Sequence, residues 1–449
     1  MKRLILYGLM SAMLLFTGCT FHEDVENVEN VLNNQEMVED FGGEVSLISE
    51  NVSEEKPVEL PVRYEYTAQE GMPSVKNQEG SNTCWAFASL TALESSKSAE
   101  FQGKYSVDHL RLQNPFGREF EDGGSYVVPM AYLLSWNGPV PEEEDPFDGI
   151  SSEELEPVVH VQEIRISEPK DYDAIKRFVY LYGGVETALY LDFNEFMQSS
   201  ACYNEETYAY CYQGEEISNH DVVIIGWDDT FPKENFHGDV TADGAFLCQN
   251  SWGTTFGNQG KFYVSYEDVN IGGYGVVYSG VESKENYDRI YQSDLCGFTA
   301  QIGYENEECW FANVYTPKED VNLRAAGFYA TGKNTAYQLY VVPEFQEVSS
   351  LKRPTLLCKG VLKDAGYYTI PFPQSVQVEA GKDFAVVVNI DTEGAEYPVA
   401  IECPVEGLSE KADLSDGRGY LSYQGIVWEH IEETKNYNIC LKVYADLTE

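Results

Sequence analysis

Positive charge is scarce in this chain. Only 29 Lys and Arg stand against 75 Asp and Glu, a formal net charge of −46 over 449 residues. So acidic a surface repels a phosphate backbone, which excludes nucleic acid as a partner, and it favours solubility. Histidine is scarcer still, at six residues, so the search for a base is short. Long apolar runs are missing beyond residue 16, and no later segment approaches the roughly 20 residues that a membrane helix needs. Ten cysteines are present, but no two have a zinc-like short spacing, so no metal site is expected.

The one apolar run at the start has its own grammar. Lys2 and Arg3 precede Leu4 to Phe16, followed by Thr17, Gly18 and Cys19. The pattern reads as a secretion signal, too short for a normal membrane span. Leu15-Phe16-Thr17-Gly18-Cys19 resembles a bacterial lipobox, with Phe16 where leucine is commonest. That resemblance implies removal of residues 1–18, lipid attachment at Cys19 and residence on the outer face of a bacterial cell membrane. Residues 21–60 carry 12 acidic side chains and one basic, Lys56. Such a segment cannot bury enough surface to fold alone, so residues 19–60 read as a disordered acidic tether.

The stretch NQEGSNTCWAFAS, Asn77 to Ser89, is the most informative in the chain. Cys84 opens an apolar helix-like run through Trp85, Phe87, Leu90 and Leu93. Apolar on nearly every side, that helix belongs in a core. A helix N-terminus stabilises negative charge, and the thiolate is the nucleophilic form of cysteine. Gln78 has an amide N–H to offer an oxygen that becomes negative during attack. Cys84 alone favours an inert packing role, since buried free cysteines are common. Its partners decide otherwise.

A thiol nucleophile needs a base, and the base needs an orienter. His22 lies in the acidic leader, and His430 lies near the C-terminus. His160 and His237 sit in polar stretches with little to hold a ring. His109 follows a helix start, where a surface or capping role is expected. His220 opens HDVVIIGWDD, whose apolar run Val222 to Ile225 reads as a buried strand. Asn250 falls between a strand at Ala245 to Gln249 and another through Phe262, Val264 and Tyr266. Its amide oxygen accepts an imidazole N–H without adding charge, the Cys-His-Asn form of triad logic.

With these residues in place the chain resembles the papain-like cysteine peptidases, the family that serves as a standard example of this chemistry. NQEGSNTCWAFA resembles the cysteine block, NHDVVIIGW the histidine block, and QNSWGTTFGNQGKFYVSY the asparagine block. EDGGSYVVPMAYLL resembles the glycine-pair segment beside the cleft, and DYDAIKRFVYLYGGVETAL the helix and strand between the subdomains. All five occur in the family's order across residues 61–284. The resemblance implies Cys84 as nucleophile, His220 as base and then acid, and Asn250 as its orienter. It implies Gln78 and the Cys84 N–H as the oxyanion hole, with Trp252 shielding His220 and Asn250. Gly123 and Gly124 pair with substrate backbone, where no side chain obstructs close approach. No cofactor is implied.

The departures are as informative. The family's cysteine three residues before the nucleophile is Ser81 here, and its partner position is Glu121, so both halves of that bond are absent. Asp221 follows the histidine where a small residue is usual. Two effects are expected of it: a preference for basic or polar groups in the second specificity pocket, or stabilisation of the imidazolium. The long helical propeptide of the family has no counterpart of sufficient length before the catalytic region.

After residue 284 helix-like runs give way to about eight aromatic-rich strand candidates, from Trp310–Tyr315 to Tyr437–Tyr444, which suggest a β-sandwich. Residues 285–449 resemble the lectin-like β-domain that follows papain-like domains in some prokaryotic surface proteins. A glycan or other cell-surface ligand is the expectation for it, although most of its aromatics are expected in its core. Cys202 and Cys211 are close enough in sequence to pair as a disulfide or to stay free. The fold class is thus α+β: a papain-like two-subdomain fold, helical on the left and β-barrel-like on the right, followed by an all-β sandwich. The function is cell-surface hydrolysis of protein or peptide substrates through an acyl-enzyme. The rival is an adhesin that uses the papain-like part as a scaffold, and Cys84, His220, Asn250 and Gln78 together weigh against it. A transpeptidase would share the chemistry with a different acceptor.

Overall fold

The computed structural model describes residues 50, 51, 58–99, 103–117, 123–193 and 199–448. The signal segment, Cys19, Glu121 and nearly all of the tether lie outside the described residues. Of the tether, Glu50–Asn51 pairs in parallel with Lys359 and Gly360 at the edge of a C-terminal sheet.

The first half is a helical layer against an antiparallel sheet. Helix α1, Cys84–Glu94, buries every residue from Cys84 to Leu93. That follows from its sequence, which is apolar or small on all sides. It packs on the strand His220–Asp228, which is buried along its whole length. Beside that strand run Val185–Leu189 and Ala245–Gln249, both antiparallel to it. Antiparallel pairing brings the start of His220–Asp228 and the end of Ala245–Gln249 to one end of the sheet, because Val223 faces Gln249. His220 and Asn250 therefore emerge side by side although 29 residues of chain lie between them.

The second half is a sandwich. Strands Val321–Ala330, Ala365–Val378 and Leu441–Leu447 form one wall; Glu308–Tyr315, Thr335–Val342 and Phe384–Asp391 belong to the other. Phe311, Phe328, Leu339, Val386, Val388 and Val443 fill the space between. The alternating patterns predict this, and about half of the aromatics are buried while the others are half-buried.

The two halves share one sheet. Strand Val159–Ile166 pairs with Val276–Ser283 on one side and with Ala365–Val378 on the other, in the register Ala365 to Ile166 and Tyr368 to Glu163. The result is a 13-stranded sheet through both halves. Polar contacts reinforce the seam: Arg165 and Arg177 reach the buried Asp364 at 3.0 and 2.6 Å, and Thr369 donates to Gln162 at 2.6 Å.

Several local expectations are corrected. Cys202 and Cys211 form no disulfide; all nine described cysteines are free, and this pair meets only through the Cys211 N–H and the Cys202 carbonyl at 3.1 Å. His109 is buried, with Nδ1 2.6 Å from the Tyr132 hydroxyl. The helix cap beside it comes from Ser106, which accepts from the His109 backbone N–H. His160 is held firmly, stacked on Trp136 with centroids 3.7 Å apart and with Asn286 Oδ1 2.7 Å from its Nδ1. The Asp228–Gly244 segment is mostly exposed, with Phe231 and Phe236 anchoring it in a small apolar cluster.

Candidate active site

Cys84 occupies the first position of α1. Next to it, a tight turn holds Gln78. The Gln78 backbone N–H donates to the Ser251 carbonyl at 2.8 Å. Its side-chain Oε1 accepts from the Ser251 hydroxyl at 2.6 Å, and Nε2 donates to the Ser81 carbonyl at 2.7 Å. One Nε2 hydrogen is thus engaged and the second is available for an incoming oxygen. Ser81, at the position of the absent cysteine, donates to the Gln78 carbonyl at 2.6 Å and shares a 2.6 Å hydroxyl contact with Thr83. A hydrogen-bonded turn stands where the family has a covalent tie.

His220 Nε2 lies 2.7 Å from Asn250 Oδ1. This oxygen has only acceptor capacity, so Nε2 carries the hydrogen and a neutral ring keeps Nδ1 as its acceptor. Trp252 is half-buried, its ring 4.8 Å from the imidazole and edge-on to Phe193 and Phe256. These rings form an aromatic cluster beside the imidazole. Gly124 lies against Trp85: an added Cβ would come within 2.7 Å of the indole. Gly123 is exposed with φ of +110°, and nothing stands within 4 Å of its missing Cβ. The two glycines therefore present open backbone beside the site.

Asp221 is placed differently from an open pocket wall. It is 8% exposed, its Oδ1 accepting from the Tyr274 hydroxyl at 2.5 Å and its Oδ2 3.7 Å from Cys84 Sγ, the acceptor for the thiol. Behind it, Glu186 is fully buried and takes a short hydrogen bond from Ser89. Neither carboxylate has an ion-pair partner among the described residues.

Burial dominates the electrostatics. It pushes the Cys84 thiol up, and the Asp221 charge adds to the rise. Burial lowers His220 to about 4, partly opposed by its Asn250 bond. Asp221 is pushed up to about 6 by burial, against its bonds to Tyr274 and Cys84. Glu186 is raised well above the carboxylate range by burial and then by Asp221. The resting site accordingly holds a neutral thiol and a neutral imidazole. The expected gain from the helix N-terminus does not outweigh desolvation and the adjacent carboxylate.

The fold brings Cys84, Gln78, His220, Asn250, Asp221 and Trp252 to one end of the sheet, with Gly123 and Gly124 bordering it. Sequence reasoning passed over Ser251, Glu186, Ser89 and Tyr274. Ser251 lies between two residues already singled out. Glu186 had a signal of its own: a charge in the otherwise apolar strand VETAL, where ionisable groups are rarely placed without a reason.

A model of the papain family cysteine protease matches residues 60–281, and a lectin like domain model matches residues 290–445. Cathepsin L 1 of Paramecium tetraurelia is 27% identical over 203 residues, covering 44% of this chain and 57% of its own. Mouse cathepsin O is 26% identical over 231 residues, 48% of this chain and 65% of its own. The chain thus spans between about half and two thirds of these curated relatives. The clostridial cysteine protease Cwp84 after propeptide cleavage superposes with a TM-score of 0.73 at 25% identity, covering 86% of this chain and 99% of that one. A structure of the cysteine protease and lectin-like domains of Cwp84, a surface layer associated protein of Clostridium difficile, gives 0.72 at 24% identity, covering 87% and 90%. This chain carries a papain-family cysteine peptidase domain followed by a C-terminal lectin-like domain.

Proposed function

We propose that the protein is a cell-surface thiol endopeptidase acting through Cys84, His220 and Asn250. The observation that carries this reading is the His220–Asn250 bond of 2.7 Å at the same sheet end as Cys84, with the Gln78 amide fixed beside it. The Cys84 thiol passes its proton to His220 Nδ1, and sulfur attacks the peptide carbonyl. Gln78 Nε2 and the Cys84 N–H hold the resulting oxyanion. His220 returns the proton to the leaving amine, leaving a thioester. Water, deprotonated by the same ring, then releases the acid. Asn250 keeps the ring in the tautomer and orientation that both transfers need. Gly123 and Gly124 hold substrate backbone, and Asp221 and Trp252 stand beside the reacting centre.

The surface location rests on the lipobox-like Leu15–Cys19 and on the surface layer association of Cwp84. In this reading Cys19 bears the lipid, residues 19–60 form the tether, and the lectin-like domain engages a glycan or another surface ligand. Incubating residues 61–449 with an epoxide inhibitor of papain-like enzymes tests the catalytic part. The expected result is one adduct at Cys84 with loss of cleavage of a denatured protein, both absent in Cys84→Ala. An unlabelled Cys84 and no cleavage under reducing conditions point instead to the adhesin reading.

A further inference from the structure

The family resemblance leaves Asp221 and Glu186 unexplained. Two carboxylates are buried side by side directly behind the nucleophile, and no cation meets either one among the described residues. Burying such charges unpaired is costly. Lys76, which lines the same small cavity as Asp221, is engaged 2.5 Å from Glu94. The groups set against Asp221 are a thiol, a phenol and another acid, and Gln249 and Asn250 beside it bring only neutral amides. The Cys84 thiol comes from α1, and Tyr274 reaches in ahead of Val276–Ser283. Glu186 comes from Val185–Leu189, tied to Ser89 of α1. Tyr126, which follows the glycine pair, packs tilted against Tyr274 with centroids 4.5 Å apart. His220 precedes Asp221 on its own strand, with its Nε2 committed to Asn250. A chain of contacts thus runs from the cleft border through Tyr126 and Tyr274 to Asp221 and the sulfur.

We propose that Asp221 is a positioning residue that masks the nucleophile: its ionised carboxylate accepts the Cys84 S–H and restrains the thiol from giving its proton to His220. The inference rests on the peptidase reading. The step it controls is a single proton transfer. In the masked state the S–H bond is intact and points to Oδ2. In the reactive state that bond is broken, the proton sits on His220 Nδ1, and the sulfur keeps the electron pair as thiolate. An ionised Asp221 disfavours the thiolate by like charge at 3.7 Å. A protonated Asp221 has an O–H to donate to the thiolate, so it favours the reactive state. With Asp221 titrating at about 6, the thiolate form is confined to mildly acidic conditions and is withdrawn as pH rises.

The test is the rate of Cys84 alkylation by iodoacetamide from pH 4.5 to 8, read by mass spectrometry at that residue so that the other thiols do not interfere. In the native chain the rate falls as pH rises through about 6. In Asp221→Asn, which keeps an acceptor for Tyr274 but has no charge, the fall disappears. The Cys84 rate at pH 7.5 then exceeds the native rate by roughly tenfold or more, one unit of thiol pKa being a factor of ten in thiolate. In Tyr274→Phe the donor that favours ionised Asp221 is gone, so the fall moves to higher pH. This second variant keeps the test open if Asp221→Asn is unstable. Native and Asp221→Asn profiles that coincide overturn the proposal, as does a Tyr274→Phe profile that does not move. His220→Ala separates this from failure of the underlying reading: Cys84 alkylation unaffected by loss of His220 sinks the peptidase assignment itself. A His220-dependent rate with no Asp221 effect sinks only the masking role.

Discussion

Two buried aspartates resolve the same physical problem in opposite ways. At the seam between the halves, Asp364 is met by two guanidiniums, Arg165 at 3.0 Å and Arg177 at 2.6 Å. Elsewhere on the same sheet, Asp221 is met by a phenol and a thiol. The first arrangement is an ion-paired contact that ties the two halves together. The second leaves a carboxylate whose protonation is free to change, beside a nucleophile that feels the change. Where an acid is matched by cations the chain is being held; where it is left with neutral donors the chain is being tuned.

The sharpest way to break this comparison is at the sulfur. Cys84→Ala is expected to lower peptide cleavage by about 10⁴-fold or more while leaving the melting temperature near the native one. A comparable loss of stability in calorimetry would show that Cys84 is a packing residue. Gln78→Ala removes an oxyanion donor, and kcat is expected to fall by roughly 10²–10³-fold with little change in KM. A change confined to KM contradicts that role. Asn250→Ala leaves the His220 ring without its acceptor, and a fall in kcat/KM of about 10–100-fold is expected, intermediate because the ring remains held by Trp252.

At the seam the expectation reverses. Asp364→Ala removes the carboxylate shared by Arg165 and Arg177, which are 12% and 26% exposed, while Arg165 keeps Glu163 at 2.7 Å. Stability is expected to drop by about 3 kcal/mol, read from chemical denaturation, with kcat unchanged in the folded fraction. A kinetic effect without a stability loss would erase the contrast between the two sites.

The smallest effect is in the pH dependence of stability. Asp221 has a folded value of about 6 against 3.8 for the unfolded chain. Its raised value means the native state binds the proton more tightly, so its contribution is present at low pH and lost as pH rises from about 4 to 6. His220 has a folded value of about 4 against 6.5. Its lowered value gives the opposite sign: stability present above 6.5 and lost as pH falls toward 4. Each is worth up to about 3 kcal/mol, and in the native chain they largely cancel. Asp221→Asn removes one of them, so its stability is expected to climb more steeply between pH 4 and 6.5 than that of the native protein. Parallel curves in thermal melts would contradict the shifted values.

Much of the site was legible because its chemistry restricts residue types. Cys84 at the head of an all-apolar helix, His220 at the mouth of a buried strand and Asn250 between two strands are each uncommon in that position. The sandwich was legible as alternation, and most of its strand candidates lie within observed strands; Thr355–Leu362, with its mixed pattern, was not foreseen. The histidines that looked loose were misjudged for one reason. What holds His160 and His109, the Trp136 ring and the Tyr132 hydroxyl, is distant in sequence or comes from another element. No local pattern reports such contacts.

By itself, then, the sequence determined the acidic character, the order of the five papain-like blocks and the change of texture after residue 284. These are properties of composition and short-range spacing, which need no fold to be read. Only the tertiary structure decided that one sheet runs through both halves, that Ser81 replaces a covalent tie with hydrogen bonds, and that Asp221 turns onto the Cys84 sulfur. Each depends on which strands pair and in what register, and a shift of one residue would send those side chains to the opposite face.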